Sequence, residues 1–271
     1  MRTPFPNAFT IHRYGLFPSR PFPLSVAAAP RPGGVTLLEL FPMRLVDVAD
    51  RIAARAQDTI LVHDVDHGTM ERLDAVARAA GLGHVPYRPN AVALPRGSLL
   101  PLVERLSHWE FHFLDLPGPP APEAVERSRL DHEPRVIAEA AFPDPDFPRA
   151  RIALHSHDDC FLTIHSADDA LLRAVFARAL EIYAGTVLGE EDPASRDVAP
   201  VPPDVIARLW TPPLALTFLR EDASREAEGA VLGFSRTECS LLEKREYPLA
   251  GRLRYEPASR AWALEDGRQA R

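Results

Sequence analysis

The chain has 271 residues, of which 46% are hydrophobic and 25% charged, a balance typical of folded globular proteins and not of disordered chains. Its formal net charge is −7, from 38 acidic against 31 basic side chains, which argues against general nucleic-acid binding and fits a basic protein partner. A cysteine count of 2, the lack of a long apolar run and a proline-interrupted N-terminus predict a cytoplasmic protein without a membrane segment or signal peptide.

The first part of the chain is predicted to be an arm followed by alternating strands and helices. Residues 1–34 carry repeated proline among aromatic residues, which predicts an extended arm and not a helix. Between residues 35 and 116 the predicted strands are 35–41, 59–63, 85–94 and 108–114, and the predicted helices are 45–56, 69–80 and 98–106. Strand and helix in turn favour an α/β part with at least some parallel pairing.

Proline-rich breakers separate this part from the rest of the chain. The run PGPPAP begins a predicted linker at residues 117–134, and residues 135–271 are predicted to form a more antiparallel part built on a hairpin and a long helix. Its other predicted elements are a strand at 135–141, a helix at 204–210, strands at 214–219 and 230–234, and a hairpin within 249–264. The expected fold class is therefore α+β (mixed α/β), either in two parts or as one continuous mixed sheet.

The clearest predicted motif is the hairpin that begins at residue 151. Its two strands, 151–156 and 160–165, alternate apolar and polar residues as half-buried strands do. A three-residue loop would pair Leu154 with Leu162, whereas a two-residue loop would place Leu154 opposite the polar Thr163. We therefore expect the three-residue loop.

A long helix is predicted directly after the hairpin. Ser166 can cap its first backbone N–H groups, and apolar residues then recur every three or four positions, as on a helix with one buried face. Gly185 is expected to end the helix, because glycine commonly supplies the left-handed residue at a helix C-terminus.

Histidine and carboxylate residues cluster in three places, the first directly after the predicted strand 59–63. This cluster comprises His63, Asp64, Asp66 and His67. Because open α/β sheets bind ligands at the carboxyl ends of parallel strands, its position favours a divalent metal site formed by these side chains. The alternative is that Asp66 caps the next helix and that the histidines are loop residues.

The run from His63 to His67 resembles the His-Asp-x-Asp-His segment of cyclic nucleotide phosphodiesterases and, more loosely, of HD-type metal phosphohydrolases. The resemblance implies hydrolysis of phosphoesters by a bound metal, and a helical fold in which other helices supply further ligands. Here the flanking sequence is strand-like, and no second ligand motif is evident. The resemblance therefore covers these few residues and assigns no family.

The second cluster lies in the predicted strand 108–114. Its polar members His108, Glu110 and His112 alternate with aromatic residues and therefore share one face of the strand. The aromatic face is expected in the core. The polar face is either a set of metal ligands or the solvated side of an antiparallel sheet.

The third cluster surrounds the predicted hairpin loop. His155 and His165 are expected on one face of the hairpin, on different strands, while His157 lies in the loop with Asp158 and Asp159. Aspartate is a common turn residue. The alternative to a metal-binding role is thus a polar loop that joins two strands.

Two functions follow from these patterns. The first, which the sequence alone favours, is a non-catalytic binding protein that needs no cofactor and neutralises or scaffolds a basic protein partner. Its support is the acidic charge and the absence of a G-x-S-x-G elbow, a Walker loop or a G-x-G-x-x-G fingerprint from the sequence. The second is a metal-dependent hydrolase that acts on a phosphoester.

In the hydrolase hypothesis the three clusters contribute to one site around a divalent metal ion. The metal ligands would be His63, Asp64, Asp66 and His67, completed by His112 or His155. Glu110 would accept a proton. If residues from two of the clusters met at one point, a shared site would be more economical than three separate structural explanations, and the hydrolase would be favoured.

Overall fold

A computed structural model of the protein describes residues 23–64, 72–105, 111–127, 142, 145–157, 161–188, 198–220, 229–236 and 248–266. The strands in these ranges are β1 (Leu24–Arg31), β2 (Val35–Phe41), β3 (Thr59–Asp64), β4 (Val85–Arg88), β5 (Ala91–Pro95), β6 (Phe111–Leu116), β7 (Ile152–His157), β8 (Phe161–Ser166), β9 (Leu214–Arg220), β10 (Ala230–Ser235), β11 (Gly251–Glu256) and β12 (Ala261–Asp266). The helices are α1 (Leu45–Ala53), α2 (Leu73–Ala79), α3 (Leu99–Val103), α4 (Pro122–Arg127), α5 (Asp169–Val187) and α6 (Pro203–Leu209). None of the described helices is long and apolar enough to cross a membrane.

The strands belong to one 12-stranded sheet with the order β12-β11-β10-β9-β1-β2-β8-β7-β6-β3-β5-β4. Every strand pair whose register is described is antiparallel. The expected α+β class and the continuous sheet are therefore confirmed. The parallel pairing expected within residues 35–116 is wrong for these pairs.

A hairpin explains why the alternating part is antiparallel. The predicted strand 85–94 is in fact two strands, β4 and β5, which pair with each other on either side of Pro89 and Asn90. A helical crossover from β3 would make the next strand parallel, and the hairpin then reverses the direction once more. As a result β5 runs antiparallel beside β3.

The chain divides into two compact units. The first contains the described residues within 1–29, 38–43 and 173–271, and the second those within 30–37 and 44–172. Strands β9 to β12 and helix α6 lie in the first unit, and strands β3 to β8 and helices α1 to α4 lie in the second. Within the predicted arm 1–34, Leu24–Arg31 forms strand β1, and residues 1–22 lie outside the described ranges.

The central hairpin has the expected faces in a different register. Strands β7 and β8 leave the three residues 158–160 between them, and Leu154 lies opposite Ile164. The predicted pair Leu154–Leu162 is wrong, because Leu162 lies opposite Ser156. A shift of two residues keeps every side chain on the same face, so the apolar alternation cannot distinguish the two registers.

Helix α5 begins close to the expected cap and ends later than expected. The Asp168 carboxylate accepts a hydrogen bond from the Leu171 N–H at 3.1 Å, and the Ser166 hydroxyl accepts one from the Asp168 N–H at 3.0 Å. The predicted end at Gly185 is wrong, because the helix continues to the buried Val187. Burial of a valine stabilises by about 1.5–3 kcal/mol, more than the roughly 1 kcal/mol that glycine costs inside a helix.

One face of the second unit's sheet carries an apolar cluster. On the sheet side are Leu61, Leu114 and Leu116. Val125 of α4 and Phe147 cover them. The covering residues bury this part of the face.

Candidate functional site

Three histidines lie side by side across the second unit's sheet. His63 of β3 pairs with His112 of β6, and His112 pairs in turn with His155 of β7. Residues directly opposite each other on antiparallel strands share one face, so the three imidazoles form a line, which we call the histidine row. All three are buried, with exposed fractions of 1%, 1% and 7%.

The local pattern of each strand places the histidine row on the covered face. The neighbouring line on that face consists of Leu61, Leu114 and Ala153, which belong to the apolar cluster or pack against it. Each histidine is two residues from a member of that line, and strand side chains alternate with a period of two. On this face the strands therefore carry a line of apolar residues and, next to it, the line of three buried histidines.

His112 and His155 are in direct contact. The His155 Nδ1 lies 3.0 Å from the His112 Nδ1 and 3.1 Å from its Nε2. The two ring centroids are 4.2 Å apart and the planes are inclined by 30°. A hydrogen bond between two ring nitrogens needs one of them as the acceptor, so one imidazole offers a nitrogen lone pair to the other.

The spacing of this pair fits two ligands of one transition-metal ion. Tetrahedral zinc with Zn–N bonds of 2.0–2.1 Å places two ligand nitrogens about 3.3 Å apart, close to the observed separation. His63 is on the next strand, about 4.8 Å away in the direction of the sheet hydrogen bonds. Within the described ranges no group of three or more His, Cys, Asp or Glu side chains is already arranged to hold a metal ion. A complete site therefore needs a rotation of His63 or a ligand from outside those ranges.

The histidine row takes one residue from each of the three sequence clusters. The structure thus brings together His63, His112 and His155, three of the seven predicted site residues. The backbone of a fourth, Asp64, lies at the end of β3 opposite Phe111. The predicted residues that lie outside the described ranges are Asp66, His67 and Glu110, together with the cluster members His108, Asp158 and Asp159.

Two of the structural alternatives are wrong for the cluster residues that the structure describes. His63 is a strand residue and not part of a loop, because β3 extends to Asp64. His112 does not lie on a solvated face, because its side chain is only 1% exposed. The expected aromatic face is confirmed, since Phe111 and Phe113 are both buried.

His165 shares the face of the histidine row without belonging to it. It lies opposite Ala153, one line away from His155, as its predicted face requires. Burial, together with the smaller effect of the positive charge of Arg31, lowers its pKa from 6.5 to about 4. The Phe142 ring lies beside it, with centroids 5.9 Å apart. His165 is therefore a neutral core histidine.

Thr163 lies in line with the histidine row on the next strand, and the sequence patterns did not single it out as a site residue. It lies opposite His155 on β8 and so places a partly buried hydroxyl next to the histidine row. The signal that could have found it is the register of the hairpin. The pairing that we expected from the sequence put Thr163 opposite Ala153, two residues earlier on β7.

Comparison with known proteins gives no relative for this chain. No family model matches the sequence, and neither a curated protein nor a solved structure is similar to it at a significant level. The phosphodiesterase-like run from His63 also begins in a strand of an antiparallel sheet, whereas the resemblance implied helices.

Proposed function

We propose that the protein is a metal-dependent hydrolase whose metal site is built on the histidine row. The observation that carries the proposal is the convergence of the three clusters, since each contributes one buried histidine to the same line. Separate structural roles for His63, His112 and His155 would not require the three to be neighbours. A shared metal ion does require it.

Burial of the histidine row supports the same conclusion. The neutral imidazole is the form in which histidine binds a metal ion, and a buried, largely apolar surrounding controls the access of water to such an ion. A metal ion held by these ring nitrogens would therefore lie in a protected site. It would also lower the pKa of a bound water to about 7 and so provide a hydroxide nucleophile near neutral pH.

The residues have distinct roles in this proposal. His112 and His155 hold the metal through their adjacent ring nitrogens, and His63 is the third ligand from the next strand. Asp64, Asp66 and His67 are the candidate carboxylate and imidazole ligands of the remaining positions, and Glu110 is the candidate proton acceptor. Phosphoesters are the substrate class to test first, because a metal-bound hydroxide and a carboxylate base suit their hydrolysis and because the run from His63 resembles phosphodiesterase segments.

The first test is the metal content of untagged protein purified without a chelator. We expect near-stoichiometric zinc, manganese, iron or nickel in the wild type, and loss of that metal in both His112→Ala and His155→Ala. The matched control is His165→Gln, which alters a buried histidine on the same face outside the histidine row and should retain the metal. A folded, metal-free wild type that gains no thermal stability on addition of any of these ions would contradict the proposal.

A phosphoester screen then tests the reaction. The metal-loaded wild type and His165→Gln should both hydrolyse at least one member of a panel of phosphomonoesters and phosphodiesters. The His112→Ala protein should not, at equal protein concentration and with the same added metal. Full metal loading without activity on the panel would show that the protein binds metal but would contradict its assignment as a phosphoester hydrolase.

An interaction protein of the cytoplasm is our second proposal. It is favoured by the net charge of −7 and by strand β4, which lies at one end of the strand order and exposes 41% of Val85. An edge strand can accept a strand of a partner, and an acidic surface favours a basic one. Binding to a basic partner should weaken as salt is raised from low to high ionic strength. Salt-independent pull-downs would contradict the charge argument.

A further inference from the structure

The second unit also contains an open cleft near the start of β7, of about 230 Å³. Its charged lining residues are Arg55, Arg151 and Asp168, and its apolar wall includes Val35, Phe142 and Ile152. Arg151 lies four residues before His155, or roughly 13 Å along an extended strand. The cleft is therefore separate from the histidine row.

The two arginines keep hydrogen-bonding capacity for a ligand. Arg55 contacts Asp168 through one nitrogen, with Nη1 to Oδ2 at 3.3 Å, and Arg151 contacts Asp115 only at 4.0 Å from Nε to Oδ2. A guanidinium has five N–H donors. The Arg55 side chain is about half exposed and that of Arg151 about two-thirds exposed, so these ion pairs are screened by water and easily exchanged for another anion.

The carboxylates near the cleft are largely occupied by backbone groups. Asp168 uses its Oδ1 to cap the Leu171 N–H of helix α5. Asp115 accepts the N–H groups of Arg151 and Ile152, both at 2.6 Å, and the Gln57 N–H at 3.2 Å. These carboxylates serve the fold, and the cleft lining itself has two positive groups against one negative group.

We infer that this cleft binds a small organic anion, a carboxylate or a phosphate ester that carries an apolar or aromatic group. Two arginines line the cleft, and arginine forms bidentate hydrogen bonds with both classes of anion. Phe142, Val35 and Ile152 provide the surface for the apolar body. The inference goes beyond the proposed hydrolase and needs no metal.

The test is a binding titration by calorimetry in the presence of a chelator, so that a metal site does not contribute. The probes are phenyl phosphate, benzoate and inorganic phosphate, with benzyl alcohol as the neutral control. We expect saturable binding of the aromatic anions and none of benzyl alcohol. Arg55→Gln and Arg151→Gln should each weaken anion binding about tenfold or more, the effect of losing a hydrogen bond to a charged group.

Two further variants separate the contributions. Arg127→Gln removes another exposed arginine that pairs with a carboxylate, Asp146 at 3.2 Å, and should leave binding unchanged. Phe142→Ala should weaken phenyl phosphate more than inorganic phosphate. Arg55→Lys and Arg151→Lys keep the charge and serve if the glutamine variants do not fold; both should bind more weakly than wild type. Wild-type protein that binds none of the anions, or binding that survives substitution of both arginines, would overturn the inference.

Discussion

His165 is a single residue whose protonation should control part of the stability. Its pKa is lowered from 6.5 to about 4 by burial and by Arg31, so the folded state binds fewer protons than the unfolded state between these values. Its contribution to the free energy of unfolding is full above pH 6.5 and falls as the pH decreases towards 4, by up to about 1.4 kcal/mol per pH unit. Urea denaturation of wild type and His165→Gln between pH 7 and pH 4 measures it. Parallel pH profiles for the two proteins would refute the assignment.

Asp115 organises the start of β7 from a fully buried position. Its carboxylate accepts the N–H groups of Arg151, Ile152 and Gln57, so both oxygens are used as acceptors. Asp115→Asn turns one acceptor into a donor that faces an N–H group, and we expect a loss of about 2–3 kcal/mol in the free energy of unfolding. Asp50→Asn is the control, because the Asp50 carboxylate is half exposed and pairs with the Arg51 guanidinium at 3.7 Å. A matching urea midpoint for the two variants would contradict this role.

The candidate site was predictable one residue at a time but not as a set. Alternation within each strand correctly placed His112 opposite the aromatic face and His155 on the face of His165. Whether His112 meets His155 depends on the register between β6 and β7, and the two residues are separated by 43 positions in the chain. No local sequence pattern predicts which strands pair or in which register. The contact between His112 and His155 is therefore evident only from the strand pairing in the structure.

At the scale of elements, strand β11 offers a sharp test of packing. A Cβ on Gly251 would lie 2.5 Å from the Glu265 carbonyl oxygen and 2.7 Å from the Phe234 ring. Gly251→Ala should therefore lower the free energy of unfolding by about 1–3 kcal/mol. Gly97→Ala, whose Cβ meets nothing within 4 Å, should change it by less than about 0.5 kcal/mol. Chemical denaturation of both variants measures these free energies of unfolding. Equal values would show that β11 accommodates the added methyl group without loss of stability.

Element boundaries show where local preference is a good guide and where packing overrides it. Ser166 and Asp168 mark the start of α5 because their side chains satisfy backbone N–H groups close to them in sequence. The glycine rule failed at the other end, because the helix extends to a valine that is buried among other side chains. Hydrogen bonds between residues close in sequence can be predicted from local patterns, whereas burial depends on packing against segments that are distant in sequence.

At the scale of the whole molecule, composition and periodicity were enough for the class of fold. They correctly indicated a mixed α+β protein, because strand and helix patterns differ in period and are independent of pairing. Strand direction was not available in this way. The alternation of strand and helix suggested parallel pairing, but the hairpin of β4 and β5 makes β5 antiparallel to β3. The other neighbour of β3 is β6, which also runs antiparallel to it.

The histidine row has a consequence for folding that is independent of its chemistry. A slip of one residue in the pairing of β6 would turn His112 to the opposite face and bring Phe111 or Phe113 to the covered one. The three imidazoles can therefore meet only when β3, β6 and β7 are all correctly aligned. Any ligand that needs all three imidazoles would bind only the native alignment of these strands. Such a ligand would therefore stabilise the native state relative to misaligned states during folding.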